Sequence, residues 1–375
     1  MFDTAERRGS LRVGNLFGIP FFIDASWFFI LALVTWSYGS QLAAEYPSWS
    51  SLSPWILGFM AGLGLFSSVL IHELGHSFVA MAQGIPVRSI SLFLFGGVAR
   101  IEREARTPWG ALAIAVAGPL VSLSLFGFFW GIENWLPLNE GIRALVDLLA
   151  SVNLALAVFN MLPGLPLDGG NVVKSLIWAI TGNQYKGVRV ASWSGMAVAA
   201  LMIAFGLIYI GGFNGLWFAV VGWFVFSNAR NYGKYAKVQE QLSAFTAEQA
   251  AVRTEMTVMG ETSLRSFADF YVLASPQETF LVTDYLGRLV GRIDRRSLSR
   301  FAPEEWSSIP VSAVMQLIGV EETLSPNQPL TEVIERLQQQ RLVRMPVLQS
   351  DGRLLGQVQL EDIQKRFLGR GWKFA

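Results

Sequence analysis

Long runs without a charged residue mark the chain up to residue 229. They cover residues 25–44, 55–71, 107–132, 148–167 and 190–229. A helix needs about 20 apolar residues to cross the ~30 Å hydrocarbon core of a bilayer. The second run reaches that length only by continuing to about residue 82, and the glycine-rich stretch 211–215 divides the last run into two. The pattern therefore predicts six transmembrane helices.

The composition supports a membrane protein. Hydrophobic residues make up 52% of the chain, charged residues 15%, and the mean hydropathy is +0.40, whereas a soluble globular chain carries about 25% charged residues. Without cysteine the chain can form neither disulfides nor thiolate zinc ligands, so any metal must be bound by nitrogen or oxygen. The net charge of +1 gives no reason to expect nucleic acid, and we predict no nucleic-acid partner.

The positions of lysine and arginine predict the orientation in the membrane, because cytoplasmic loops are enriched in both. If the N-terminus is cytoplasmic and the six helices alternate, only Arg143 of the basic residues before Val238 lies outside. The residues that lie inside are Arg7, Arg8, Arg12, Arg88, Arg100, Arg103, Arg106, Lys174, Lys186, Arg189, Arg230, Lys234 and Lys237. We therefore predict a multi-pass protein of the cell membrane, inner or plasma, surrounded by the lipid bilayer and with both termini in the cytoplasm. The second and fourth helices then end at the cytoplasmic side.

The two histidines of the chain, His72 and His76, lie one helical turn apart with Glu73 between them. On a helix both imidazoles project from one face and can bind one metal ion, and Glu73 can act as general base toward a metal-bound water. A short pattern of this kind can be incidental in a soluble, histidine-rich protein. Here apolar residues flank it on both sides, and polar groups are costly inside a membrane, which favours a functional role.

A catalytic zinc ion takes three protein ligands and leaves one position open. Since the chain has no third histidine, the third ligand must be a carboxylate at a similar depth in the membrane. Asp168 follows the fourth predicted helix, where Pro163 and Pro166 interrupt the helix and two glycines permit a tight turn. Alternatively, Asp168 caps the N-terminus of a helix over residues 172–180. The two roles are compatible.

These two segments resemble the motifs of site-2 proteases, which are zinc intramembrane metalloproteases, and the resemblance covers roughly residues 10–235. The family has an H-E-x-x-H motif in one span and an N-x-x-P-x-x-x-x-D-G type of motif in a later one. The matching residues here are His72, Glu73 and His76 in the first motif and Asn160, Pro163, Asp168 and Gly169 in the second.

The resemblance implies a zinc endopeptidase that hydrolyses peptide bonds within or near the transmembrane helix of a single-span substrate protein, close to the cytoplasmic face. His72, His76 and Asp168 would be the zinc ligands, and Glu73 would be the catalytic base. Asn160 would be a further catalytic residue that steadies the oxyanion or the substrate backbone. On chemistry alone, Asn160 could instead hydrogen-bond a neighbouring helix.

Residues 88–102 alternate polar and apolar side chains around Gly96 and Gly97, which predicts a β-hairpin. The resemblance implies that strands here are membrane-associated and that one of them pairs with an unwound substrate segment, since strand addition exposes a peptide bond that a helix shields. A hairpin with a purely structural role is the alternative. In the third predicted span, Ala117-Gly118-Pro119 matches a family pattern that we interpret as close helix packing.

After residue 236 the composition changes to that of a soluble domain. We predict a transmembrane domain over residues 1–236, a linker over 237–250 and a cytoplasmic domain over 251–375. Within the last of these, residues 279–293 and 343–358 each have a strand–turn–strand pattern with glycine in the turn. The two units resemble a CBS-domain pair. The predicted fold is thus an α-helical polytopic membrane protein with short membrane-associated β-hairpins, followed by a soluble α/β CBS pair.

A CBS pair implies an adenine nucleotide as ligand, bound by a hydroxyl residue and an aspartate after the last strand. Asp362 matches the aspartate, but Gln359 replaces the hydroxyl residue, and the first unit has Asp294 and Ser297 at the corresponding positions. A carboxylate near a phosphate is repulsive. These departures argue against nucleotide binding and leave Asp362 as the single candidate contact. Homodimerisation or substrate gating is the alternative role of the pair.

Two other functions fit parts of the pattern. A transporter or channel with a CBS regulatory tail could use the polar cluster to bind an ion. Transporters, however, show internal repeats and broken helices in paired positions, and this sequence has one such break and no such repeat. An inactive scaffold could keep the protease fold and bind membrane partners, but all four expected active-site residues are present.

Overall fold

Contacts between residues divide the chain into two units, Met1–Lys237 and Val238–Ala375. The structure is a computed structural model and describes residues 10–93, 96–253 and 256–368. Arg7 and Arg8, which entered the orientation argument, lie outside the described residues, as do Leu94 and Phe95 within the segment predicted as a hairpin.

Polar caps determine where several helices of the first unit begin. The side chains of Asp24, Thr107, Asn139 and Asn183 accept hydrogen bonds from backbone N–H groups in the following turn, which would otherwise lack a partner. The helices are α1 (Ala25–Glu45), α2 (Ser53–Ala82), α3 (Pro108–Trp135), α4 (Glu140–Asn160), α5 (Asp168–Thr181), α6 (Gln184–Phe205) and α7 (Gly212–Ser243).

Five helices in the described part of the chain are long and apolar enough to cross a membrane. They are α1, α2, α3, α4, and α6 together with its continuation to Ile210. Helix α7 occupies the sixth predicted span but is not among these five, so the count of six spans stays a prediction.

The fourth span differs from its predicted bounds of 148–167. Helix α4 begins eight residues earlier, at Glu140, and ends at Asn160. Counting uncharged residues misplaced it, because Arg143 and Asp147 lie within its first turns and were assigned to a loop. The prolines that were expected to break its end lie in the loop that follows.

A four-stranded sheet packs against α1 and α2. Its strands are β1 (Ser10–Leu16), β2 (Ile19–Asp24), β3 (Val87–Phe93) and β4 (Gly96–Ile101), in that order across the sheet. The β1–β2 and β3–β4 pairs are antiparallel, whereas β2 and β3 are parallel. The shared core includes Ile19, Phe21, Trp27, Phe66, Ile90 and Leu92. Strand β4 therefore forms one edge of the sheet.

Small residues let α2 approach its neighbours closely. A Cβ at Gly58 would lie 2.5 Å from the carbonyl oxygen of Thr35 in α1, and one at Gly75 would lie 3.1 Å from the carbonyl oxygen of Ala117 in α3. Helix α2 also contacts α4. The helix that carries both histidines is thus enclosed by α1, α3, α4 and the sheet.

The second unit contains two strand–turn–strand motifs. One four-stranded sheet has the order β5 (Thr257–Met259), β6 (Thr279–Thr283), β7 (Leu289–Asp294) and β8 (Gln316–Leu317), and a separate antiparallel pair consists of β9 (Arg344–Leu348) and β10 (Leu354–Gln359). The helices are α8 (Ala247–Ala250), α9 (Leu264–Phe267), α10 (Leu330–Gln339) and α11 (Leu360–Ile363). The turns of the two motifs pair with each other, since Leu289 N donates to Gly352 O and Leu354 N donates to Gly287 O, both at 3.1 Å.

Part of the segment 237–250, predicted as a linker, packs in the core of the second unit. Helix α7 continues to Ser243, past the boundary at Lys237, and its last turns carry buried apolar side chains. These side chains join the core of the second unit, which includes Val238, Leu242, Ala247, Ala250, Leu330, Leu337, Met345 and Val358. The apolar positions at helical spacing explain why this segment packs instead of remaining solvated.

Candidate metal centre

Three side-chain atoms converge between α2 and the start of α5. Oδ2 of Asp168 lies 3.1 Å from Nε2 of His72 and 3.3 Å from Nε2 of His76, and the two Nε2 atoms are 3.3 Å apart. Both histidines are buried and Asp168 is largely so. The structure thus brings together the three residues that were predicted as metal ligands.

The loop before α5 aims the Asp168 carboxylate at the histidines. Asp168 is the first residue of α5, and the N-cap is Leu167, so the alternative role of Asp168 as a capping residue does not occur. The two glycines after it are needed because α5 begins against its own loop. A Cβ at Gly169 would collide with the carbonyl oxygens of Leu162 and Met161, and one at Gly170 would collide with the loop backbone.

The second nitrogen of each imidazole contacts α3. Nδ1 of His76 lies 2.7 Å from the carbonyl oxygen of Ile114, and Nδ1 of His72 lies 2.8 Å from Oγ of Ser122. A carbonyl oxygen can only accept, so Nδ1 of His76 carries the hydrogen. In the neutral ring Nε2 then presents a lone pair toward Asp168.

This arrangement fits a zinc ion. Lone pairs of two imidazoles and a carboxylate repel one another at these separations unless a proton or a metal ion lies between them, and two nitrogens with one oxygen are a donor set that suits zinc. Tetrahedral zinc with bonds of about 2.0–2.2 Å holds its ligand atoms about 3.3–3.5 Å apart, and the observed separations are 3.1–3.3 Å. Three protein ligands of the N, N, O type also leave one position for water, as in catalytic zinc sites.

Glu73 lies between the metal-ligand cluster and strand β4. Its half-buried side chain is within electrostatic range of His72, His76 and Asp168. Oε2 of Glu73 accepts a hydrogen bond from the backbone N–H of Ala99 at 2.9 Å. The carboxylate that is suited to accept a proton from water is thus held beside the three ligands by the edge of the sheet.

Comparison with known proteins agrees with this chemistry. The model of peptidase family M50 matches residues 60–138 and 136–205. A putative zinc metalloprotease of Synechocystis sp. is 44% identical over 363 residues, which cover 95% of each chain. The putative zinc metalloprotease Rip3 of Mycobacterium tuberculosis is 33% identical over 339 residues, which cover 88% of this chain and 86% of that one.

The chain belongs to peptidase family M50. It is therefore a multi-pass membrane zinc metalloprotease, as the resemblance to site-2 proteases implied. Among solved structures, the site-2 protease from Methanocaldococcus jannaschii is similar, with 28% sequence identity, a TM-score of 0.43, and coverage of 60% of this chain and 95% of that chain. The CBS-domain model matches residues 311–369, which span the second strand–turn–strand motif.

Asn160, the further catalytic residue predicted for this M50 protease, is the last residue of α4 and is half-buried. Among the described residues it makes no hydrogen bond to the metal-ligand cluster. The interhelical hydrogen bond comes instead from Asn153, two turns earlier on the same face of α4. Nδ2 of Asn153 donates to Oγ of Ser68 at 2.9 Å, and Ser68 lies one turn before His72. Asn153 was not among the predicted site residues, although an amide within an uncharged run is a signal in the sequence that indicates such a contact.

A cavity of about 690 Å³ lies between the two strand–turn–strand motifs of the second unit. Asp362, the candidate nucleotide contact, lies in α11 and is not among the described residues that line it. Arg292, Asp294 and Arg344 do line it, and Arg292 is paired with Glu322 at 2.6 Å. Asp294 and Glu322 both line the cavity, and the argument against nucleotide binding from the departures in sequence stays a prediction.

Proposed function

We propose that this metalloprotease performs regulated intramembrane proteolysis. It would cut single-span membrane proteins within or near their transmembrane helix, close to the cytoplasmic face. The observation that carries the proposal is the convergence of His72, His76 and Asp168 beside Glu73, within a 30-residue apolar helix and its neighbours. A hydrolytic centre at this depth acts on a substrate that shares the bilayer.

Each residue of the site would have a separate role in hydrolysis. His72, His76 and Asp168 would hold the zinc ion. When bound, zinc supplies a Lewis acid that polarises the scissile carbonyl and makes a nearby water a better nucleophile. Glu73 accepts a proton from the attacking water and returns it to the leaving amine. Asn160, at the end of α4, would hydrogen-bond the oxyanion or the substrate backbone.

The free edge of β4 is suited to bind the scissile segment. Ile90 pairs with Ala99 across the β3–β4 ladder, but the N–H of Ala99 points away from β3 and toward Glu73. A substrate segment that adds to this edge as a further strand would lie next to the catalytic base with its peptide bonds exposed. It would compete with Glu73 for the N–H of Ala99, and so would free the carboxylate when a substrate is in place.

The charge distribution supports a membrane location and an orientation for the protein. We expect the protein in the cell membrane, inner or plasma, with both termini in the cytoplasm, because that orientation puts nearly all the basic residues of the membrane unit inside. The CBS-like unit would then be cytoplasmic, where it could mediate a homodimer.

The function is tested with purified wild type and Glu73→Gln, each assayed for zinc content and for cleavage of a labelled single-span peptide in liposomes. We expect one zinc per chain in both proteins and cleavage only by wild type. Glu140→Gln makes the same chemical change at the exposed start of α4 and should cleave normally. Cleavage by Glu73→Gln at the wild-type rate, or a zinc-loaded wild type that cuts no single-span peptide, would contradict the proposal.

The orientation can be tested independently because the chain has no cysteine. Single cysteines introduced as Ser51→Cys, in the exposed α1–α2 loop, and Ser308→Cys, in the second unit, can be labelled in intact cells with a membrane-impermeant maleimide. We expect labelling at Ser51→Cys, and labelling at Ser308→Cys only after lysis. The reverse pattern would invert the proposed topology.

A further inference from the structure

Helix α3 contributes no ligand to the metal-ligand cluster, yet three of its residues lie against the two histidines, one at His76, one at His72 and one at both. Ile114, Gly118 and Ser122 are spaced four residues apart and therefore lie on one face of α3. The carbonyl oxygen of Ile114 accepts from Nδ1 of His76, and Oγ of Ser122 lies 2.8 Å from Nδ1 of His72. The first and last of the three thus fix the orientation of one imidazole each.

Ser122 is fully buried, and its hydroxyl group contacts His72 in the neighbouring helix α2. When Nε2 of His72 is a zinc ligand, Nδ1 carries the hydrogen and donates it to the serine oxygen. A hydroxyl oxygen can accept this hydrogen, so the contact is compatible with the tautomer whose Nε2 binds metal, and it holds the ring plane. A serine in an apolar helix commonly satisfies its hydroxyl group by a hydrogen bond to a backbone carbonyl of the preceding turn. Ser124 does so, because its Oγ donates to the carbonyl oxygen of Leu120 at 2.8 Å.

Gly118 leaves open the space into which both Nε2 atoms point. A Cβ at this position would lie 2.6 Å from Nε2 of His72 and closer still to Nε2 of His76. Close helix packing, the interpretation drawn from the sequence, does not account for this contact. The close approach of α2 and α3 occurs one residue earlier, where Gly75 of α2 packs against the carbonyl oxygen of Ala117. At Gly118 the missing side chain gives room to the ligand atoms themselves.

We infer that α3 positions the metal centre through Ser122 and Gly118, which act on zinc through the histidines and not as ligands. Ser122 holds His72 with Nε2 free, in parallel with the Ile114 carbonyl at His76, and Gly118 keeps the metal position clear. The inference rests on the proposed zinc-binding role of His72, His76 and Asp168. It adds two positioning residues from a helix that lies outside both sequence motifs.

The test is the zinc affinity of the full-length protein in detergent, measured by competition with a chromophoric chelator. Ser122→Thr and Ser122→Val are the decisive pair, because they have the same shape and differ in the hydroxyl group. We expect Ser122→Thr to bind zinc at least about 10-fold more tightly than Ser122→Val, within the 10–100-fold range of outer contacts to metal ligands. Gly118→Ala should lose zinc binding by more than 100-fold, since its methyl group occupies the space between the ligand atoms.

Controls and a spectrum separate this role from a structural one. Gly127→Ala, in the same helix with no atom within 4 Å of its new Cβ, and Ser124→Ala should bind zinc as wild type does. Thermal unfolding without metal shows whether each variant is folded. In cobalt-substituted protein, Ser122→Val should change the visible absorption bands, which report ligand geometry, whereas Ser122→Thr should keep them.

Equal zinc affinity of Ser122→Thr and Ser122→Val would overturn the role of Ser122, and near wild-type affinity of Gly118→Ala would overturn that of Gly118. Both results are distinct from failure of the proposed function, in which the wild-type protein itself binds no zinc or binds it without cutting peptide.

Discussion

A single methyl group at Gly97 tests whether strand β4 controls the catalytic base. In Gly97→Ala the new Cβ would lie 2.6 Å from Cγ of Glu73, and 3.2 Å from both its Cδ and from Cδ2 of Leu92. Ordinary carbon–carbon contacts are about 3.5–4.0 Å, so Glu73 and β4 must separate by about 1 Å. Glu73 follows His72 directly in sequence, and the His72 ring is held by Ser122 of α3 and would also be held by zinc. The displacement therefore falls on the Glu73 carboxylate or on the strand.

Either displacement disturbs the 2.9 Å hydrogen bond from Ala99 N to Glu73 Oε2. A misplacement of about 1 Å in a catalytic group can lower a rate about 10²-fold, which corresponds to about 2.7 kcal/mol of activation free energy. We expect a loss of this size in the kcat for a single-span peptide. The zinc content should stay at the wild-type level, because the three ligand atoms do not contact Gly97.

The assay compares Gly97→Ala with Gly14→Ala, which makes the same change on β1 of the same sheet, where no atom lies within 4 Å of the new Cβ. Gly14→Ala should have wild-type kcat and KM. If Gly97→Ala cleaves within threefold of wild type, β4 does not constrain Glu73 as described. Loss of zinc in Gly97→Ala would place its effect at the metal centre instead, and would also refute the reasoning.

Three further predictions concern other parts of the chain. Asp168→Asn keeps the side-chain shape but removes the charge, and we expect zinc content measured by mass spectrometry to fall below a tenth of wild type; full retention would exclude Asp168 as a ligand. Asn153→Ala removes the hydrogen bond to Ser68, and the free energy of unfolding in detergent should fall by about 1 kcal/mol, whereas no change would show that the α2–α4 bond adds nothing. Burial alone would raise the pKa of the Asp284 carboxyl, but hydrogen bonds from Arg288 and Leu286 lower it below its usual value. A lowered folded-state pKa contributes stability that is fully present above the unfolded value of about 3.9 and is lost as the pH falls through the folded pKa. The melting-temperature advantage of wild type over Asp284→Asn should therefore be present at neutral pH, begin to shrink below about pH 4 and vanish below the folded pKa; an advantage that grows on acidification would contradict this.

Much of the membrane unit could be predicted from local sequence. Charge-free length located α1, α2 and α3 closely, and Asp24 and Thr107 cap α1 and α3 at the residues where those runs begin. The predicted start of the fourth span was wrong, because the first turns of α4, with Arg143 and Asp147, belong to a helix that continues into an apolar stretch. At 237–250, apolar residues at helical spacing pack into a core that no short window of sequence displays.

The sequence by itself determined the chemistry of this protein. Helical spacing places His72 and His76 on one face, and the absence of cysteine and of further histidine leaves a carboxylate to complete the site. Tertiary structure alone decided which distant groups surround these residues. Asp168 is 96 positions from His72 and Ser122 is 50 positions from it, and the N–H of Ala99 reaches Glu73 only because β4 is an edge strand. Spacing within one helix is set by backbone geometry, whereas contacts between elements depend on how whole faces pack, which no local pattern encodes.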